Sequence, residues 1–323
     1  MTTNKVSRRA ALKQTSVLVG AAFAGNELSR SAAASDQSPR QQSNSRPFLF
    51  CLNTATIRGQ KLGILKEIEV AAQAGYDAIE PWVDGIEEYV KNGGSLSDLR
   101  KRISDSGLTV EGAIGFPEWI VEDDARRAKG VERAKHEMDV VAQIGGKRFA
   151  CPPAGATELP KLDLLRAAQR YRVLLEAGHE FGLVPQLELW GFSKNLNRLG
   201  ECVAVAMETG HPNACVLADI FHLYKGGSDF HSFHLLSGKA VQVLHMNDFP
   251  SEPPREKIDD SFRIFPGDGS APVTETLRAL HQTGGQKVLS LELFNRKYWS
   301  ENPFEVAKAG LGKMKTVAEK AVA

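Results

Sequence analysis

The chain has 323 residues, 42% of them hydrophobic, with 40 Lys and Arg against 39 Asp and Glu for a formal net charge of +1. That is ample apolar material for a globular core, and so even a balance excludes the basic surplus expected of a nucleic-acid or membrane-surface binder. Cys51, Cys151, Cys202 and Cys215 stand far apart with no CxxC pair, which excludes a zinc ribbon or disulfide scaffold and leaves buried free thiols.

Residues 1–34 read as an export signal. A polar, basic opening, MTTNKVSRRAALK, precedes the uncharged stretch QTSVLVGAAFAG, and SAAAS offers a small-residue cleavage site near Ala34. The apolar stretch is too short and Gly-broken for a transmembrane helix, so no stable membrane anchor is expected. Ser7-Arg8-Arg9-Ala10-Ala11-Leu12-Lys13 resembles the twin-arginine signal, which implies a periplasmic destination. Residues 35–46 are polar and Ser/Gln-rich and read as a disordered linker.

From Phe48 onward, eight short apolar runs read as strands: 48–53, 77–81, 109–114, 148–152, 185–190, 215–220, 241–247 and 288–294. Segments 63–75, 131–146, 164–182 and 273–285 lie between them with apolar spacing of three and four, each ending in Gly, as a helix and its C-cap do. Alternating strands and helices build βαβ units and a parallel sheet. Eight units over residues 47–323 predict a (β/α)8 TIM barrel, typically about 250 residues long. A doubly wound sheet would place a Gly-rich phosphate loop after the first strand, and CLNTATIRG is not one.

In QLELW and SLELF a single Glu interrupts an apolar run. Strand side chains alternate, so Gln186, Glu188 and Trp190 face the barrel interior, as do Ser290, Glu292 and Phe294. Both carboxylates therefore point inward near strand C-termini, the face where barrel enzymes build active sites. LADIFH adds Asp219 and His222, and VLHMND adds His245 with Asn247 and Asp248 behind it. Glu188, Asp219, His245 and Glu292, from four successive strands, would repel and desolvate one another without a cation among them. Three carboxylates and one imidazole suit one divalent ion, Mn²⁺ ahead of Mg²⁺, Co²⁺ and Zn²⁺.

The order Glu, Asp-x-x-His, His-x-x-Asp, Glu resembles the xylose-isomerase-like barrels, a family of sugar isomerases, ketose epimerases and inosose dehydratases related to the endonuclease IV-type nucleases. The resemblance spans residues 47–323 and is clearest from Gln186 onward. It implies Glu188, Asp219, His245 and Glu292 as metal ligands, Glu188 and Glu292 as catalytic carboxylates, and His222 as a substrate contact. FRIFPGDG resembles the family's Arg-x-x-Pro-Gly-Glu/Asp-Gly segment and implies Arg263 as another. The expected activity is isomerisation or epimerisation of a sugar or keto-sugar through an enediolate, with a dehydratase or a non-catalytic sugar-binding barrel as alternatives. A homo-oligomer stays open.

Trp82, Trp119 and Trp190 are expected as substrate-stacking surfaces, and Phe116 stands with them; capping of the core is the other reading. Glu80 is within reach of the mouth, Glu111 should pair with a Lys or Arg, Asn53 reads as turn-forming, and Asn247 and Asp248 are placed to orient His245. His231 and His234 read as part of a helix or its cap. The three-zinc nuclease is excluded: no His occurs before His136, and Ser261-Phe262-Arg263 stands where those enzymes carry Asp-x-His.

Overall fold

The computed structural model describes residues 46–323; the expected signal and nearly all of the expected linker lie outside the described residues. Eight parallel strands form one curled sheet: β1 Phe48–Asn53, β2 Ala78–Glu80, β3 Thr109–Val110, β4 Arg148–Cys151, β5 Val184–Glu188, β6 Val216–Asp219, β7 Val241–Met246 and β8 Lys287–Leu291. The ladder runs β3-β2-β1-β8-β7-β6-β5-β4. It closes between β3 and β4 through a parallel bridge from Val110 to Gly146 and a 3.0 Å hydrogen bond from Ala150 N–H to the Ala113 carbonyl. The fold is a TIM barrel.

All eight expected strands are present, several shortened toward the mouth, where the chain splays into loops. The expected strand 109–114 pairs only over Thr109–Val110, then touches β2 again where Ile114 bridges Trp82. Helix signals held locally. Asp163 caps Leu164–Phe181 by accepting from Arg166 N–H at 2.9 Å, and Gly182 ends that helix at φ 71°, a conformation costly for residues with a Cβ. The helix expected from residue 131 starts earlier, at Asp124, because Asp123 caps it and its first two turns are solvated rather than apolar.

Two apolar zones follow from strand alternation. Leu52, Ile79, Phe149, Leu187, Leu244 and Leu291 pack outward against the helices. Cys51, Ala78, Ala150, Leu217, Val243 and Val288 fill the barrel interior. Above them the inward column turns polar: Asn53, Glu80, Glu188, Asp219, His245, Ser290 and Glu292 are all buried there. The four cysteines are free and buried. Glu111 pairs, as expected, with Lys147 at 2.5 Å and Arg148 at 2.9 Å. Among the described residues no helix is long and apolar enough to cross a membrane.

Candidate metal centre and active site

Asp219 ends β6 and also caps the helix Ile220–Gly226, accepting from His222 N–H at 2.9 Å through Oδ1. This cap is why a His three residues on arrives at the same mouth. The other oxygen, Oδ2, faces inward. It accepts from Arg263 Nη1 at 2.6 Å and Asn247 Nδ2 at 3.2 Å, and lies 3.6 Å from His245 Nδ1.

His245 stands at the centre. Its Nε2 donates to Glu80 Oε2 at 3.1 Å, an oxygen that also accepts from Ser290 Oγ at 2.6 Å and Asn53 Nδ2 at 3.0 Å. Glu80 thereby keeps a proton on Nε2 and turns Nδ1 toward the other carboxylates. Nδ1 lies 3.1 Å from Glu292 Oε2 and 3.9 Å from Glu188 Oε1. Despite the short distance to Glu292, Nδ1 has no aligned hydrogen-bond partner, and neither has Glu188 Oε2. Two buried polar atoms left without partners at one point are costly unless something fills that point.

The electrostatics agree. Burial pushes the Glu188 carboxyl up to about 8, against the pull of His245 and with help from Glu292 and Asp219. Burial also opposes charge on Asp219, but the Arg263 guanidinium together with His222 and His245 outweighs it and holds that carboxyl well below the usual range. Burial alone would lower the His245 imidazole, yet Glu292 and Glu80 raise it well above its ordinary value. A site that draws a proton onto its own imidazole is short of positive charge. Ligand atoms of Asp219, His245 and Glu292 lie within 4.8 Å of one another, and this donor set fits one divalent cation. Glu188 stands just outside that trio.

Residues 68–317 match the family described as xylose isomerase-like TIM barrel. The chain belongs to this family. It is 24% identical to an inosose isomerase of Bacillus velezensis over 84% of this chain and 97% of the relative. It is 25% identical to a 3-dehydroshikimate dehydratase of Pseudomonas putida, over 71% of this chain and 36% of that one. It is 26% identical to a D-psicose 3-epimerase of Agrobacterium fabrum, over 67% and 75%. Among solved structures, an IOLI protein described with a binding zinc atom superposes with a TM-score of 0.78 at 22% identity, over 84% of this chain and 99% of that one, a likeness of fold alone.

Within this xylose isomerase-like barrel the other expected residues fall into place unevenly. Trp82, Trp190, His222 and Arg263 line one cavity of about 410 Å³ at the mouth, together with Glu188 and Glu292. His222 Nδ1 is buried there without a partner, and burial pushes the imidazole below its usual value. Arg263 is fully buried and serves the carboxylates first: Nη1 also donates to Glu292 Oε2 at 3.0 Å, and Nη2 to Asp260 Oδ1 at 2.6 Å. Trp119 does not reach the mouth. It is fully buried in the outer core, its Nε1 donating to the Pro152 carbonyl at 2.7 Å, because the chain turns inward after Phe116.

Asn247 steadies Asp219 rather than His245, and accepts from Phe221 N–H at 2.8 Å. Asp248 lies past the strand end. It gathers the N–H groups of Gly267, Gly269 and Ala271 at 2.9–3.0 Å, fixing the loop that follows Arg263. Asn53 is more than a turn residue: it bridges Glu80 and Glu292 (3.1 Å) and accepts from Trp82 Nε1 at 3.0 Å. His231 and His234 sit in the short 3-10 helix Phe230–Leu235, as expected. Sequence reasoning missed Phe192, Asp260 and Trp299 at the mouth; Asp260, three residues before Arg263, was the readable signal.

Proposed function

We propose that this barrel is a divalent-metal-dependent isomerase or epimerase acting on a sugar or keto-sugar through an enediolate. What carries the reading is the convergence of Asp219, His245 Nδ1 and Glu292 at the C-terminal mouth, with Glu188 Oε1 beside them at 3.9 Å from Nδ1. A divalent ion held there by these four residues would polarise a carbonyl oxygen and its neighbouring hydroxyl, acidifying the C–H between them. Mn²⁺ is the first candidate; the zinc atom described for the similar IOLI protein keeps Zn²⁺ beside it.

Glu188 then takes a proton from one face of the carbon, and Glu292 returns one at the other face for epimerisation, or at the adjacent carbon for isomerisation. Burial favours the protonated form of Glu188, so the carboxyl readily holds the proton it removes. His222, neutral and accepting from Arg263 Nη2 at 3.1 Å through Nε2, keeps its proton on the open Nδ1 and donates it to a substrate oxygen. Arg263 locks Asp219 and Glu292 in place. Loss of a β-hydroxyl from the same enediolate would make a lyase, a second reading favoured by similarity to the dehydratase.

The test is proton exchange. Metal-loaded protein in D₂O with a panel of free ketoses and inososes should wash deuterium into the carbon beside the carbonyl, and chelation should stop it. No exchange with any metal across the panel removes the reading. The export proposal rests on the SRRAALK stretch: replacing Arg8 and Arg9 by Lys should leave the protein in the cytoplasm, and continued export would refute it.

A further inference from the structure

The floor of the mouth is charged, and of its rim one side is polar, with Asp259, Asp260 and Arg296, while the other is aromatic. Six aromatic side chains line the cavity: Trp82, Phe116, Trp190, Phe192, Phe294 and Trp299. Ring centroids step around it at 5.0 Å (Trp82–Phe116), 5.9 Å (Phe116–Trp190) and 5.1 Å (Trp190–Phe192), with Phe294 6.0 Å from Trp82. Phe116 and Phe192 are 42% and 44% exposed. Singly exposed phenylalanines need no explanation, but two closing an aromatic arc over an active-site cavity do.

Both are held in place by their neighbours. Each lies close behind a glycine pressed against the barrel. A Cβ on Gly115 would stand 2.3 Å from Glu137 Oε2 and 2.7 Å from the Phe149 ring; one on Gly191 would stand 2.3 Å from the His222 carbonyl oxygen and 2.6 Å from Gly226 N. With the backbone so fixed, the rings are presented rather than free to fold inward. The arc also offers little to a hydroxyl. Phenylalanine has no polar atom, and Trp82 and Trp299 already commit their N–H groups to Asn53 Oδ1 and the Ala55 carbonyl, each at 3.0 Å. A bare sugar ring laid against this arc would leave hydroxyls unpaired, whereas a flat apolar group would not.

Resting on the isomerase-type reading, we propose that the natural substrate is an aryl glycoside of a keto-sugar: the sugar ring lies on the charged floor, and the aromatic aglycone lies against Phe116, Trp190 and Phe192. The cavity of about 410 Å³ is within the range of about 300–1,000 Å³ typical of ligand pockets.

The test compares phenyl and methyl 3-keto-β-D-glucopyranoside by calorimetry on the metal-loaded full chain. The phenyl compound should bind on the order of tenfold tighter, as expected for new aromatic contacts. Phe116→Ala with Phe192→Ala should bring the two to parity by weakening the phenyl compound more than the methyl one; Phe192→Ala alone gives a partial loss if the double variant fails to fold. Equal affinities in the wild type, no binding of either, or a double variant that weakens both alike overturns the proposal. So does light scattering that finds a wild-type dimer and a monomeric double variant, since a second copy would then be what covers the rim. Deuterium exchange with free ketoses but no phenyl preference removes the aglycone and keeps the reaction. Phenyl preference without any exchange keeps the rim and removes the reaction.

Discussion

Strands β5 to β8 place Glu188, Asp219, His245 and Glu292 at or within one residue of their C-terminal ends, all charged or chargeable and all facing the mouth. Strands β1 and β2 end in Asn53 and Glu80, and the turns after β2 and β3 add Trp82 and Phe116. The first set surrounds the place for a cation; the second set bears no ligand and instead holds the first in register. Glu80 fixes the tautomer of His245 from across the barrel, and Asn53 ties Glu80 to Glu292. Closing the sheet thus brings residues 165 and 239 positions apart into hydrogen bonds. The side chains of β5 to β8 thus stand in the orientation that β1 and β2 impose.

That division can be broken at its strongest point first. Glu188→Gln and Glu292→Gln keep a carbonyl oxygen near the centre but lose the base. Each should cut turnover by about 10²–10⁴-fold, the usual worth of general acid–base catalysis, with metal content unchanged by elemental analysis. Full activity in either variant would take that Glu out of proton transfer. Next, Arg263→Ala leaves Asp219 and Glu292 buried without their guanidinium, which should cost about 3–5 kcal/mol in urea unfolding of the metal-free protein. A loss below about 1 kcal/mol would mean the carboxylates protonate or find water instead.

Glu80→Gln tests the supporting side directly. Affinity measured against a buffered chelator should fall by about 10–100-fold, as for other partners of metal-binding histidines. An unchanged affinity would show that β2 contributes nothing to the centre. The smallest effect belongs to Trp119→Phe, which removes one buried hydrogen bond; stability should fall by about 1 kcal/mol and KM should not move. A raised KM would return Trp119 to the mouth.

The convergence of Glu188, Asp219, His245 and Glu292 was readable because strand alternation is a strong rule: a Glu flanked by leucines on a buried strand can point only one way. The Asp-x-x-His spacing was readable for a similar reason, since one residue both ends β6 and caps the next helix. Loop residues obey no such period. Trp119 and Phe116 are three positions apart on the same connection, yet one is fully buried and the other borders the cavity. Nothing local distinguishes them; what decides is where the chain turns, set by Gly115 against Phe149. Glu80 could be placed near the mouth by alternation, but its partner lies on the opposite strand group, and only barrel closure reveals it.

Closure itself is uneven. Most neighbouring strands share a ladder of several residues, but β3 and β4 meet through one bridge and the Ala150–Ala113 hydrogen bond. Such a joint is the cheapest place for the wall to part without global unfolding. The amide hydrogen of Ala150, bonded to the Ala113 carbonyl across the joint, should then exchange with solvent ahead of those in β7 and β8. Transient opening there would loosen the turn that presents Phe116 while leaving strands β5 to β8, which carry Glu188, Asp219, His245 and Glu292, paired with one another.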